Sequence, residues 1–233
     1  MQPVRLLLIG AGVIGRTHID RIGRDPHLAL AGIAEPSEAG KVLAQQLGVP
    51  WAASHLELLE RTHAQGAIVA TPNASHVGMA IDCLERGVAA LVEKPVADTV
   101  AEALALVQAQ QRTGVPVLVG HHRRHNPINS RARSIVQDGR LGRVVTANVM
   151  CTVLKPDAYF DAAWRRQPGG GPVLINLIHE IDMLRFLCGE ITEVQALSSN
   201  AVRGFAVEDT AAAVLRFASG ALGTVVLSDA AAS

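Results

Sequence analysis

Along the first half of the chain, short apolar runs alternate with longer stretches whose apolar residues recur at helical spacing. "VRLLLIG" (4–10), "LALAGIA" (28–34), "GAIVA" (66–70), "VAALV" (88–92) and "VPVLVG" (115–120) predict strands buried on both faces. Between them, 13–24, 37–47, 74–86 and 98–113 predict helices. Strand-helix alternation of this kind implies right-handed crossovers, hence an α/β, doubly wound parallel sheet. After Gly120 the pattern changes, and a domain boundary is expected there, giving units 1–120 and 121–233. The basic stretch "HHRRHNPINSRARSIVQDGRLG" predicts a helix that stops at glycines near 139–142. Strands are then expected at 143–153, 191–199, 207–217 and 221–228, with a helix over 173–188. Strands that follow one another through turns such as "ASG" predict an α+β domain with an open, largely antiparallel sheet.

Composition narrows the partners. Of 233 residues, 49% are hydrophobic, enough for a sizeable core, and 21 basic residues balance 21 acidic ones. A chain without net charge has no global field to collect nucleic acid or an anionic membrane, so a small-molecule partner is expected. The apolar runs are too short to span a bilayer and no signal-peptide pattern follows Met1, which predicts a cytoplasmic protein. Cys83, Cys151 and Cys188 are widely spaced and read as reduced core thiols.

"GAGVIG" (10–15) falls where a predicted strand ends and a predicted helix opens. In that setting Gly10 allows a tight turn, Gly12 lets the backbone approach a pyrophosphate, and Gly15 lets helix and strand pack closely, with Val13 and Ile14 opening the helix. Phosphates would face the helix N-terminus. Glu35 lies 20 residues after Gly15, at the end of the second strand, where a carboxylate accepts hydrogen bonds from ribose hydroxyls. That carboxylate repels a 2′-phosphate, which favours NAD, although Ser37 and Lys41 leave NADP open.

Glu93 and Lys94 of "LVEKPVAD" sit at the carboxyl end of a predicted strand, where open α/β folds bind ligands, and Pro95 keeps Lys94 out of a helix. Taken in order, "GAGVIG", "ATPNASH" (70–76), "EKP", "GHHRRHNP" (120–127), "WR" (164–165) and "GGGPVLINLIHEID" (169–182) resemble the Gfo/Idh/MocA family, which includes glucose-fructose oxidoreductase and inositol dehydrogenase. The resemblance implies an N-terminal Rossmann domain and a C-terminal domain whose open sheet carries the substrate site and an oligomer interface. It implies NAD(P)-dependent hydride transfer between the nicotinamide and a sugar, polyol or related hydroxy or carbonyl compound. Thr71, Pro72, Asn73 and His76 would line the nicotinamide end, with Glu93, Lys94 and His122 close by.

By the same resemblance Lys94 matches the EKP lysine and His179 matches the histidine of inositol dehydrogenase-like members. His179 would accept the hydroxyl proton as hydride leaves carbon, and Lys94 would polarise the oxygen, its own pKa lowered by burial beside the nicotinamide. Lys94, His122, Tyr159, Trp164, Arg165, Asn176 and His179 are the expected substrate contacts, and Lys155 and Arg165 could hold a polar or anionic ligand. The histidines of "HHRRH" flank two arginines, whose charge opposes a cation, so no metal is expected.

Position 175 is Ile where many inositol dehydrogenase-like members carry aspartate, and Asn176 is one residue out of register. The resemblance also implies a C-terminally short copy. Two alternatives follow: a dinucleotide-binding protein without turnover, and an NADPH-dependent carbonyl or imine reductase. No second helix is predicted to cover the C-terminal sheet, so a homodimer or homotetramer through that sheet is expected.

Overall fold

The strand β1 (Val4–Ile9) shows why its run has no polar alternation: Leu7 and Ile9 join a core cluster with Ala34, Val69 and Val92, whereas Leu8 meets Ile22 and Ile68 in another. Successive side chains leave opposite faces of a strand, so both faces of β1 are covered. The computed structural model describes residues 2–232, which divide into two compact units, one ending at Gly120 and the other beginning at His121.

In the first unit β1 is followed by α1 (Val13–Arg24), β2 (Leu28–Ala34), α2 (Glu38–Leu47), β3 (Trp51–Ala52), α3 (His55–Thr62) and β4 (Gly66–Val69). Then come α4 (His76–Leu84), β5 (Ala89–Val92), α5 (Val100–Thr113) and β6 (Val117–Val119). The six strands lie in the order β3-β2-β1-β4-β5-β6, and every pairing is parallel. Helix starts follow local chemistry. Ser37 Oγ accepts from Gly40 N–H at 3.2 Å, and Thr99 and Glu102 form a reciprocal capping box at the start of α5.

Two corrections concern this unit. No element was expected between 48 and 65, yet β3 and α3 lie there; β3 has only two residues, too few to register as an apolar run. The strand expected at 115–120 is not buried on both faces. As β6 it forms the sheet edge, with Leu118 64% exposed.

The second unit contains α6 (Pro127–Gln137), β7 (Thr146–Thr152), α7 (Ile178–Cys188), β8 (Ile191–Ser199), β9 (Thr210–Phe217) and β10 (Leu222–Ser228). Asn126 caps α6 by accepting from Ile128 N–H at 2.9 Å, with Pro127 in the first turn. The sheet order is β7-β10-β9-β8; β10 pairs parallel with β7 and antiparallel with β9, and β8 pairs antiparallel with β9. On the inner face Leu215, Phe217, Val225 and Leu227 pack with Leu177 and Leu184. The helix expected over 173–188 is regular only from Ile178; Val173–Leu177 form a π turn, and the Val173 N–H that opens it, without an acceptor inside the helix, donates to Glu208 Oε1 at 2.9 Å.

Candidate functional site

In the first unit the glycine loop is shaped by close backbone approach. Gly10 has φ +92°, and a Cβ there would meet the Ala70 carbonyl oxygen at 2.6 Å. A Cβ on Gly15 would collide with the carbonyl oxygen of Gly10, so α1 can approach β1 only with glycine there. Gly12 differs: beyond its chain neighbours, no atom of the described residues lies within 4 Å of the Cβ it lacks. It is the N-cap of α1 and offers no side-chain cap, and no acidic residue occupies the first turn. The loop therefore presents free space and orphan N–H groups at a helix N-terminus, which suits a phosphate-bearing cofactor. Val13 and Ile14 stand beside it, 83% and 47% exposed.

Glu35 is held against this loop. Its Oε2 accepts from Ala11 N–H at 2.9 Å and its Oε1 from Ser37 N–H at 3.1 Å. Burial works against its charge, but these hydrogen bonds and nearby Arg16 outweigh burial and hold the carboxyl below its ordinary value. A Cβ on Gly40 would collide with the Glu35 side chain, so the start of α2 also fixes the acid.

The segment after β4 folds onto itself. Ser75 Oγ donates to Thr71 Oγ1 at 2.7 Å and lies 2.8 Å from the Pro72 carbonyl, while Pro72 itself is exposed and Asn73 half-buried. His76, expected at the nicotinamide end, is buried within this segment. It is 1% exposed, and its ring nitrogens lie 2.8 Å from the carbonyls of Pro95 and Thr71, so both are spent tying this loop to the residue after Lys94.

Glu93 is likewise committed internally. Its Oε1 lies 2.8 Å from His18 Nε2 and its Oε2 accepts from Lys94 N–H at 3.3 Å. Burial raises its pKa, but His18 and Lys94 overcome that and leave the carboxyl below its ordinary value. Gly120 packs on the same carboxylate, where a Cβ would stand 3.0 Å from Oε2. His18 escaped the sequence reading, because one histidine on an amphipathic helix carries no distinguishing signal. Lys94 itself is half-buried at the end of β5.

The second unit gathers its own group. His179, on the first turn of α7, meets His122 edge to face, with ring centroids 5.4 Å apart. The arginines between the histidines of "HHRRH" anchor to the same helix: Arg123 to Glu180 at 2.5 Å, and Arg124 through two nitrogens to Asp182, which is 6% exposed. Asn176 lies in the π turn, and its Oδ1 accepts from Lys155 Nζ at 2.8 Å. Lys155 Nζ also lies 4.3 Å from the centre of the Tyr159 ring. Arg165 stacks on that ring at 3.8 Å, donates to the Tyr159 carbonyl and stands 5.3 Å from the Trp164 ring. From the sequence Lys155 is a candidate contact for a polar or anionic ligand; its pairing with Asn176 joins residues 21 apart and has no local signature.

Comparisons with known proteins match both units. The description "Oxidoreductase family, NAD-binding Rossmann fold" fits residues 4–121, and "GFO/IDH/MocA C-terminal domain" fits residues 129–233. The rhizopine catabolism protein MocA of Rhizobium meliloti is 28% identical over 190 residues, 82% of this chain and 59% of that protein. Myo-inositol dehydrogenase Hyg17 of Streptomyces leeuwenhoekii is 32% identical over 229 residues, 94% of this chain and 67% of that protein. The WlbA dehydrogenase from Bordetella pertussis, crystallised with NADH and UDP-GlcNAcA, superposes with a TM-score of 0.93 at 27% identity, covering 99% of this chain and 72% of that one. Against MocA and the next three curated relatives the chain spans 59% to 66% of their length. Since the two family descriptions between them account for both units, the chain belongs to the GFO/IDH/MocA oxidoreductase family.

Proposed function

We propose that this protein is an NAD-dependent oxidoreductase acting on the CH–OH group of a sugar, polyol or related compound. The observation that carries the reading is the pairing of an open Gly12 with a charged Glu35 bonded to the neighbouring Ala11 N–H. Those residues fit a dinucleotide: Gly10, Gly12 and Gly15 set the loop, α1 offers N–H groups to the pyrophosphate, and Glu35 meets the ribose. Val13 and Ile14 flank it, and Thr71, Pro72 and Asn73 serve the nicotinamide end. When bound, NAD would supply the hydride acceptor. His76 and Glu93 act by holding the loops around Lys94 rather than by touching the cofactor.

Lys94 polarises the substrate oxygen, and His179 takes the hydroxyl proton, with His122 against its ring. Asn176, Tyr159, Trp164 and Arg165 are the proposed substrate contacts. The inositol dehydrogenases among the relatives support a polyol or sugar, and NADH in the WlbA complex supports the cofactor. The carboxylate of Glu35 supports NAD over NADP. Among the described residues no helix is long and apolar enough to cross a membrane, and we propose a cytoplasmic enzyme. We also propose a homodimer or homotetramer formed through the outer sheet face of the second unit, where Met150 and Leu197 are 79% and 83% exposed.

The test is direct. Purified protein is titrated with NADH and NADPH by fluorescence, then offered polyols, sugars and hydroxy acids with NAD while absorbance of reduced nicotinamide is followed. Tight NADH binding with turnover of at least one class supports the proposal; NADH binding without turnover of any class overturns it in favour of a non-catalytic binding protein.

A further inference from the structure

Two cations of the second unit each keep a donor for which the described residues offer no acceptor. The Lys155 ammonium has three N–H donors. One goes to Asn176 Oδ1 at 2.8 Å and another approaches the Tyr159 ring, which leaves a third without an acceptor among the described residues. Lys155 is only 9% exposed, so water has little access to that donor. Arg165 repeats the situation. It donates to the Tyr159 carbonyl through one terminal nitrogen, while its Nε is buried and has no acceptor among the described residues. Both cations lie on the same Tyr159 ring, at 4.3 and 3.8 Å from its centre.

Neither cation has an ion-pair partner among the described residues. Asp229 is taken by Arg203, whose Nε lies 3.1 Å from its Oδ1, and among the described residues no carboxylate comes within ion-pair distance of Lys155 or Arg165. Burial, opposed by Asp229 and reinforced by Arg165 and Arg203, pulls the Lys155 ammonium below the ordinary lysine value. A buried donor without an acceptor carries a desolvation cost, and two like charges on one ring add repulsion; an anion removes both. The place is also specific, because Asn176 stands one turn before His179 in the chain.

We propose that Lys155 and Arg165 form a carboxylate-recognition subsite, and that the substrate is a sugar acid or hydroxy acid rather than a neutral polyol. The inference rests on the oxidoreductase reading and narrows its substrate class. A carboxylate bound beside the Tyr159 ring would bring an acceptor to both cations, while Asn176 orients the ammonium. The Tyr159 and Trp164 rings supply apolar surface for the carbon skeleton beside the anion.

Calorimetry with the full chain, NADH present, tests this with glucuronate, its methyl ester and glucose as probes. Glucuronate is expected to bind about tenfold or more tightly than glucose or the ester, the scale of one charge-assisted hydrogen bond. Arg165→Gln and Lys155→Gln are each expected to erase most of that preference while NADH binds as before. Should the buried Lys155→Gln fail to fold, Arg165→Gln and the ester still decide. Equal binding of glucuronate, ester and glucose overturns the subsite, as do variants that weaken all three alike. Stronger displacement of glucuronate by inorganic phosphate than by acetate overturns the choice of carboxylate. Glucuronate preference without any NADH binding would sink the oxidoreductase reading and leave the subsite standing.

Discussion

His18 Nε2 and Glu93 Oε1 stand 2.8 Å apart, joining the helix that follows the glycine loop to the residue that precedes Lys94. The contact makes the charge of Glu93 part of the fold. Its folded pKa is depressed, so it contributes stability above the pKa of the unfolded chain, and that contribution is lost as pH falls toward the folded value. Glu93→Gln is therefore expected to lower the urea midpoint at pH 7 and to approach wild type below about pH 4, where the unfolded carboxyl is largely protonated. An unchanged gap between the two proteins at both pH values would mean that packing, not charge, is lost.

Glu35 should set cofactor choice. Replacing it by Ser removes the repulsion of a 2′-phosphate, so the ratio of NADPH to NADH dissociation constants should fall or invert. Gly40→Ala offers a second route to the same residue, because the new methyl group would displace the Glu35 side chain. It should weaken NADH binding while circular dichroism stays native. Wild-type protein that binds NADPH as well as NADH would refute the assignment of Glu35.

Lys94 and His179 carry the proposed proton chemistry. Lys94→Ala and His179→Ala should each lower kcat by about a hundredfold or more, the usual scale for a positioned proton-transfer group. NADH affinity should stay within a few fold of wild type. A Lys94→Ala enzyme with near-normal kcat would remove that residue from the mechanism.

The buried acid of α7 is a stability test for the second unit. Asp182 is 6% exposed and takes two nitrogens of Arg124, whose side chain is 37% exposed. Breaking a fully buried pair costs about 3–5 kcal/mol, so Asp182→Asn should cost less, on the order of 2 kcal/mol, because water reaches Arg124. Equilibrium urea unfolding measures it, and a change below about 0.5 kcal/mol, the range of ordinary surface substitutions, would show that the pair is incidental.

How much of this was legible followed the range of each interaction. The run 4–10 and the glycines after it announced strand, loop and helix, because burial on both faces and a tight turn each leave a local pattern. Glu35 was legible from its distance along the chain, but its hydrogen bond to Ala11 was not. His18 with Glu93, Arg124 with Asp182 and Lys155 with Asn176 all join residues far apart in sequence, so no window of the chain contained them. His76 shows the converse: a motif gave its position, and only the fold revealed the two carbonyls beside its ring nitrogens. The π turn at Val173–Leu177 had no pattern distinct from the helix it enters.

The outer face of the second sheet carries the last prediction. Met150 pairs with Val226, Val226 with Ala212, and Ala212 with Leu197, so one apolar row crosses all four strands. Met150, Val226 and Leu197 are 79%, 44% and 83% exposed, and Val214 and Leu222 beside them are 53% and 48% exposed. Contiguous apolar surface of this kind marks interaction sites, and a two-fold axis through the row would set it against its own copy. Light scattering should give about two or four times 24.5 kDa at micromolar concentration. Leu197→Glu would bring like charges to the same contact and should lower the mass toward that of one chain. A wild-type mass of 24.5 kDa at micromolar concentration would refute the oligomer.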